Sequence, residues 1–453
     1  MWMKKSIVLG VVFCLSIPAV ANQPATDDLF YSAGLVPQKK ENAPVADPQE
    51  DLLAHTLTLE ECIKIALDNS PQAVAARLAV QEAHINVNLS RAEFLPTSSA
   101  RASTSYNASK PASASHYSDH GSSDAYAEVE LSLSGITDKV RGVKISKLAL
   151  EQAELALANQ TNAITRNVKK AYYSLLSAQR AVNIRTQSRD LYKEQYDRTS
   201  EYFRLGLRPK VDQTTAEVNL NNEELKLIRA RNLVKTASAA LANTMGVTTS
   251  RVLELQDIEE PEVFDMPFDK AVQLAYENRP DVLSSQAGVK ISQIKLNQAK
   301  AGFFPTFSFS AGFNKFSSNN LELDNEEALL SASVQIPIFN AFKTYNNVKQ
   351  ARVSFEKTRN SSRSLVNDVF LEVQKAYIQM QESAESIPIA KLNVEKAKEN
   401  LELAQGRYNE GIGDMIELKD AEVAYTDAEL SLLTARYDYA AAIADLKQAM
   451  GTN

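Results

Sequence analysis

The chain of 453 residues carries 49 Lys and Arg against 56 Asp and Glu, a formal net charge of -7, with 44% hydrophobic residues. That balance excludes a disordered chain or a repetitive fibre, and an acidic surface argues against nucleic acid as a ligand. Beyond the N-terminal leader no segment approaches the roughly 18 to 20 consecutive apolar residues of a membrane helix, so any bilayer crossing must be a closed barrel.

Residues 1–21 place Lys4 and Lys5 before an apolar run from Ile7 to Ile17 and end on Ala19-Val20-Ala21, the pattern of a cleaved secretory signal peptide. Cys14 follows Phe13 inside that run, a setting unsuited to lipid attachment. Cys62 is then the one cysteine of the mature chain, and no intrachain disulfide is available. Residues 22–56, with Pro24, Pro37, Pro44 and Pro48, have neither helical nor strand period and read as an extended N-terminal segment.

From there the chain repeats itself. Leu59-Glu60, Ala66, Asn69 and Pro71 match Phe268-Asp269, Ala275, Asn278 and Pro280, an offset of 280 minus 71, or 209. Phe94-Leu95-Pro96-Thr97 falls on Phe303-Phe304-Pro305-Thr306 at the same offset. Further on, Lys170-Ala171-Tyr172 matches Lys375-Ala376-Tyr377, Ala216-Glu217-Val218 matches Ala421-Glu422-Val423, and Met245-Gly246 matches Met450-Gly451, where 451 minus 246 gives 205. The four-residue difference belongs between Thr97 and Val129, in a loop. The repeats span residues 57–265 and 266–453.

Each repeat has the same order. A helix opens at Thr58 with Glu61 as its capping partner and runs with helical period to Phe94-Leu95-Pro96. The period then becomes two. Phe307, Phe309, Ala311 and Phe313 alternate with polar neighbours, as do Ala332, Val334, Ile336 and Ile338, and, in the first repeat, Ala125, Ala127, Val129, Leu131 and Leu133, with a weaker partner from Ser98 to Asn107. Strand hairpins are therefore expected at about 97–136 and 306–340, with polar loops around 108–123 and 317–326. Helical hairpins follow at about 140–246 and 346–451. Their long arms, about Val140 to Arg204 and Asn346 to Tyr408, hold no proline except Pro388, and some 65 residues make a helix of roughly 100 Å. Gly206 and Gly411 end these arms, and return helices run from about Asp212 to Met245 and from Asp414 to Met450.

The fold class is thus mainly α with a membrane β-barrel. Four strands per chain cannot close, whereas three copies supply twelve. The long helical hairpins pack side by side as an α-barrel.

The repeated helix, the Phe-x-Pro exit into a strand pair, the long helix, the glycine tip and the Ala-Glu-Val return helix resemble the outer-membrane efflux protein (TolC-like) family over about residues 57 to 451. The resemblance implies a homotrimeric channel-tunnel in the cell outer membrane, its helical tunnel projecting into the periplasm. Its partners would be a periplasmic adaptor (membrane fusion) protein, an inner-membrane pump of an efflux or type I secretion system, and outer-membrane lipid. It would conduct cargo passively, with no enzyme activity and no cofactor. By resemblance, the tips Arg204, Leu205, Gly206, Leu207, Glu410, Gly411 and Ile412 meet the adaptor, and the plain reading of the glycines is turn geometry. Glu417 and Asp420 match acidic rings at the periplasmic gate, against the plain reading of a solvated helix face. Tyr408 and Asp212 match the family's closing lock, but Gly413 stands where its arginine is expected.

His116 and His120 are the one histidine cluster, in a polar loop without a four-ligand set, and no phosphate loop or nucleophile elbow occurs. The competing class is a periplasmic coiled-coil adaptor or scaffold, which would carry a single central hairpin flanked by compact β domains.

Overall fold

The computed structural model describes residues 56–109, 118–249, 251–257, 264–318, 323–410 and 412–452. The signal peptide, nearly all of the extended N-terminal segment, His116 and Gly411 lie outside the described residues.

The first repeat contains α1 (Leu59–Asn69), α2 (Pro71–Ala92), β1 (Thr97–Ser109), β2 (Ser118–Ser132), α3 (Ile136–Arg204) and α4 (Lys210–Thr244). The second contains α5 (Phe268–Asn278), α6 (Pro280–Ala301), β3 (Thr306–Ser318), β4 (Leu323–Gln335), α7 (Lys343–Asn409) and α8 (Met415–Ala449). No described helix is long and apolar enough to cross a membrane.

The Thr58 capping box forms as its sequence requires. The Thr58 hydroxyl accepts from the Glu61 amide at 3.3 Å, and the Glu61 carboxylate accepts from the Thr58 amide at 2.9 Å. Where a single helix was expected up to Phe94, the chain breaks at Ser70 and again at Arg279, both extended with ψ of 124° and 122°. Pro71 and Pro280 cause this, because a proline ring bars the preceding residue from helical ψ and then starts a new helix at its first position.

The two strand hairpins form one antiparallel sheet in the order β1-β2-β3-β4. Its register places Val129 opposite Phe313, Leu131 opposite Ala311, and Ala311 opposite Leu330, so apolar residues of neighbouring strands share one face. The expected loops are shorter than their composition indicated. Strand pairing continues through Ser109 and from Ser118, and through Ser318 and from Leu323, because the ladder is made by backbone groups and does not depend on the polarity of the side chains. His120 therefore lies in β2 rather than in a loop. At its other end β4 stops at Gln335, short of Ile336 and Ile338, since Pro337 has no N–H to donate.

The arms α3 and α7 span 69 and 67 residues, about 100 Å each. Helix α3 packs on α4, and α7 on α8; α8 and α6 also pack on α3, and α6 on α7. The core runs along these seams. Near the α5 end it gathers Ala271, Ala275, Val282, Val369, Val373, Tyr439, Ile443 and Leu446. In the first repeat Tyr172 fills the matching place, fully buried, its hydroxyl donating to the carbonyl of Leu57.

Candidate functional site

The chemistry of the chain concentrates at the tips of the two hairpins. At the first, α3 ends in a Schellman turn. The Gly206 amide donates to Phe203 O at 2.9 Å and the Leu207 amide to Tyr202 O at 2.9 Å, with Gly206 at φ 74°. Backbone bonds make the whole turn, so Leu205 and Leu207 spend nothing on it and stand 61% and 67% exposed. Arg204 pairs with Glu201. At the second tip the amides of Ile412 and Gly413 both donate to Arg407 O, at 3.0 and 2.9 Å, and Asp414 caps α8 by accepting from the Glu417 amide at 2.7 Å. Ile412 and Ile416 are exposed beside Glu410. Both tips thus present exposed aliphatic side chains beside turns closed by backbone hydrogen bonds.

Behind the tips lie the charged residues. Arg208, on the linker between α3 and α4, lies 3.6 Å from Asp212 and places its guanidinium 5.8 Å from the centre of the Tyr408 ring. Asp212 and Tyr408 are therefore brought together through an arginine from the first tip. This residue was missed in the sequence because only the position of Gly413 was examined; the signal available was its helical spacing of four before Asp212. Glu417 is exposed and paired with Arg407 at 3.0 Å, while Asp420, one turn on, is exposed. A side chain at Gly413 would be crowded: a Cβ there would meet the Arg407 Cβ at 3.1 Å and its backbone carbon at 3.2 Å.

Burial pushes the Cys62 thiol up to about 12, which removes the thiolate that chemistry needs. Among the described residues no group of three His, Cys, Asp or Glu is placed to hold a metal.

A sheet with one apolar belt, carried on two long helical hairpins, defines an outer-membrane channel built from a β-barrel and a helical tunnel. The chain belongs to the outer membrane efflux protein family, which matches residues 62–247 and 271–452. It is similar to the outer membrane protein TolC of Vibrio cholerae, 22% identical over 409 residues that cover 87% of this chain and 90% of the relative. Similarity extends to the alkaline protease secretion protein AprF of Pseudomonas aeruginosa, 24% identical over 414 residues, covering 87% and 84%. Among solved structures, the Campylobacter jejuni CmeC outer membrane channel superposes with a TM-score of 0.76 at 19% identity, covering 96% of this chain and 93% of that one. The open state of the Neisseria gonorrhoeae MtrE outer membrane channel gives 0.72 at 20% identity, covering 87% and 89%. The competing adaptor architecture is set aside by this family match and fold.

Proposed function

We propose that the chain is one protomer of a homotrimeric, passive exit duct that takes cargo from a periplasmic adaptor and an inner-membrane pump and releases it outside the cell. One observation carries the reading: the first-repeat helices α2 and α4 lack the cover that their second-repeat counterparts α6 and α8 have. Helix α6 packs on both α3 and α7, whereas its counterpart α2 packs on α3. The consequence is seen residue by residue, since Leu78 of α2 is 57% exposed and the matching Ala287 of α6 is 1% exposed. Ile85 is exposed where Ile294 is half-buried. Val218, Leu225 and Ile228 of α4 are exposed where Val423, Leu430 and Leu433 of α8 are half-buried against α3. A second copy supplying its α7 to the first-repeat face of its neighbour covers this apolar stripe, and the free edges of β1 and β4 pair in the same step. Such head-to-tail contacts close as a ring.

Native mass measurement in mild detergent is expected to give a trimer, and Leu78→Glu with Ile85→Glu is expected to shift it to monomer. A stable wild-type monomer sinks the proposal.

The periplasmic entrance is assigned to the carboxylates behind the tips. Three-fold symmetry gathers three copies of Glu417 and Asp420, and converging charge in a narrow pore raises the local cation concentration. Arg407 offsets part of this at Glu417, so Asp420 carries the larger share. The closed state is held by Arg208 between Asp212 and Tyr408, in place of the arginine that Gly413 displaces. In planar bilayers, Glu417→Ala with Asp420→Ala is expected to lower the preference for cations over anions by roughly tenfold and to relieve block by divalent ions. Unchanged selectivity would remove the two residues from the gate.

A further inference from the structure

About two turns into α8 and nearly four turns into α4, the packing of the two hairpins contains a buried carboxylate pair. Glu223 of α4 is 4% exposed and Glu422 of α8 is 2% exposed, with Tyr192 of α3 buried beside both. Their surroundings differ. Glu223 accepts from Lys226 Nζ at 2.7 Å and from Ser188 Oγ at 3.3 Å, and Arg185 stands 3.7 Å away. Glu422 accepts a hydrogen bond from the Tyr192 hydroxyl, and its Oε2 is buried with no partner.

Next to Glu422 is a cavity of about 210 Å³ between α3, α7 and α8, lined by Gln195, Thr199, Tyr408 and Leu418 among others. Gln195 Nε2 is buried there, also with no partner. A pocket of that size, open on one side and lined by polar side chains, has room for water beside the carboxyl. Water in the cavity gives the Glu422 carboxyl a route for protons from solvent.

The charges facing Glu422 leave it uncompensated. On α3, Arg198 is held by Glu194 at 2.8 Å and by Asn409 at 3.1 Å. On α4, Lys226 and Arg185 of α3 are committed to Glu223. From α7 the lining is neutral, Gln405, Tyr408 and Asn409. On α8 itself Asp420, two residues before Glu422, adds negative charge at Tyr192, while Lys419 faces the Glu223 side.

We propose that Glu422 is a proton-binding site, and that ionising it loosens the clamp between the two helical hairpins close to their tips. In the protonated form the carboxyl is neutral, keeps its place against Tyr192 and supplies a donor to the water-filled cavity. In the ionised form a second buried carboxylate faces Glu223 without a cation of its own, and separation of α8 from α3 and α4 is the way to hydrate it. Desolvation, with the charge of Glu223 behind it, raises the carboxyl to about 7 against the opposing Tyr192 hydrogen bond. The sign follows from a raised acid: the folded state holds its proton to higher pH than the unfolded state. The stabilisation is therefore complete below the unfolded value of 4.5 and is lost as pH rises through about 7.

The test uses the full-length purified protein in detergent. Infrared difference spectra are expected to show a protonated carboxyl band at pH 6 that disappears by pH 8.5 and is missing from Glu422→Gln. Hydrogen-exchange protection around Tyr192 and Glu422, taken relative to the base-catalysed intrinsic rate at each pH, is expected to fall with pH in the wild type, by up to about tenfold per unit between the two values, and to stay flat in Glu422→Gln. Tyr192→Phe, which removes the hydrogen bond favouring the carboxylate, moves the band to higher pH. Absence of the band at pH 6 overturns the proposal, as does an unchanged pH step in Glu422→Gln.

Discussion

Replacing Leu205 and Leu207 together with aspartate is expected to abolish export while trimers still assemble. The separation of the two effects follows from how the tip is built. The Schellman turn at Gly206 is closed by backbone donors and acceptors, and neither leucine side chain packs against the hairpin that carries it. Folding therefore loses little. A docking partner, by contrast, must find apolar side chains to cover, and burying a carboxylate in place of each costs about 2 kcal/mol or more at a well-packed contact centre. Two such losses weaken docking by roughly a thousandfold. The measurement is paired: accumulation of a pump substrate in cells, and SDS-resistant trimer in the outer-membrane fraction. Export at the wild-type level would remove the first tip from the adaptor contact. Loss of trimer together with export would mean that the tip serves assembly instead.

Much of this architecture was legible in the sequence, for reasons that can be located. The offsets of 209 and 205 follow the backbone because both repeats fold to one plan, and the long arms are legible because almost no proline or glycine interrupts them. The breaks at Ser70 and Arg279 were missed although Pro71 and Pro280 were in view, since apolar residues keep a helical rhythm on both sides of each break. Polar composition around 108–123 and 317–326 was taken for loop, yet backbone pairing, which composition does not report, carries the strands well into both segments. At the candidate site, Glu417 and Asp420 came from the family resemblance, with their three-residue spacing placing them on one helix face. Arg208 was not found: its spacing of four before Asp212 is a local pattern, but its contact with Tyr408 crosses from one hairpin to the other and leaves none. Glu422 entered the sequence reading only as part of the Ala-Glu-Val repeat match, and Glu223 not at all. Only packing of three helices around Tyr192 buries them.

The second large effect concerns the glycines that end the return helices, and it shows why the repeat holds its shape. Gly246 and Gly451 have φ of 71° and 73°, and each closes a helix with its own Schellman turn. A Cβ on Gly246 would sit 2.9 Å from the Asn69 carbonyl oxygen; one on Gly451 would sit 2.9 Å from both N and Cα of Arg279. These are the residues at the two proline breaks, so each return helix docks by its glycine onto the backbone of a break. Alanine meets two costs at once: about 1–2 kcal/mol for a left-handed conformation and about 1–3 kcal/mol for a backbone overlap that no side-chain rotation relieves. Gly451→Ala also presses on Arg279, which holds Asp281, Glu372 and the Ala449 carbonyl. Gly206→Ala separates the two costs, since that glycine has φ 74° but nothing within 4 Å. Gly142→Ala and Gly406→Ala have neither and should be neutral or stabilising, by up to about 1 kcal/mol, because alanine is the better helix former. Thermal unfolding of the purified chain is expected to rank the variants in that order, with Gly246→Ala and Gly451→Ala lowest and their effects close to additive, as the two docking points share no residue. If Gly246→Ala proves no less stable than Gly206→Ala, the close approach to Asn69 does not hold the return helix in place, and the fit between glycine and proline break is lost as the reason for the conserved spacing within the two repeats.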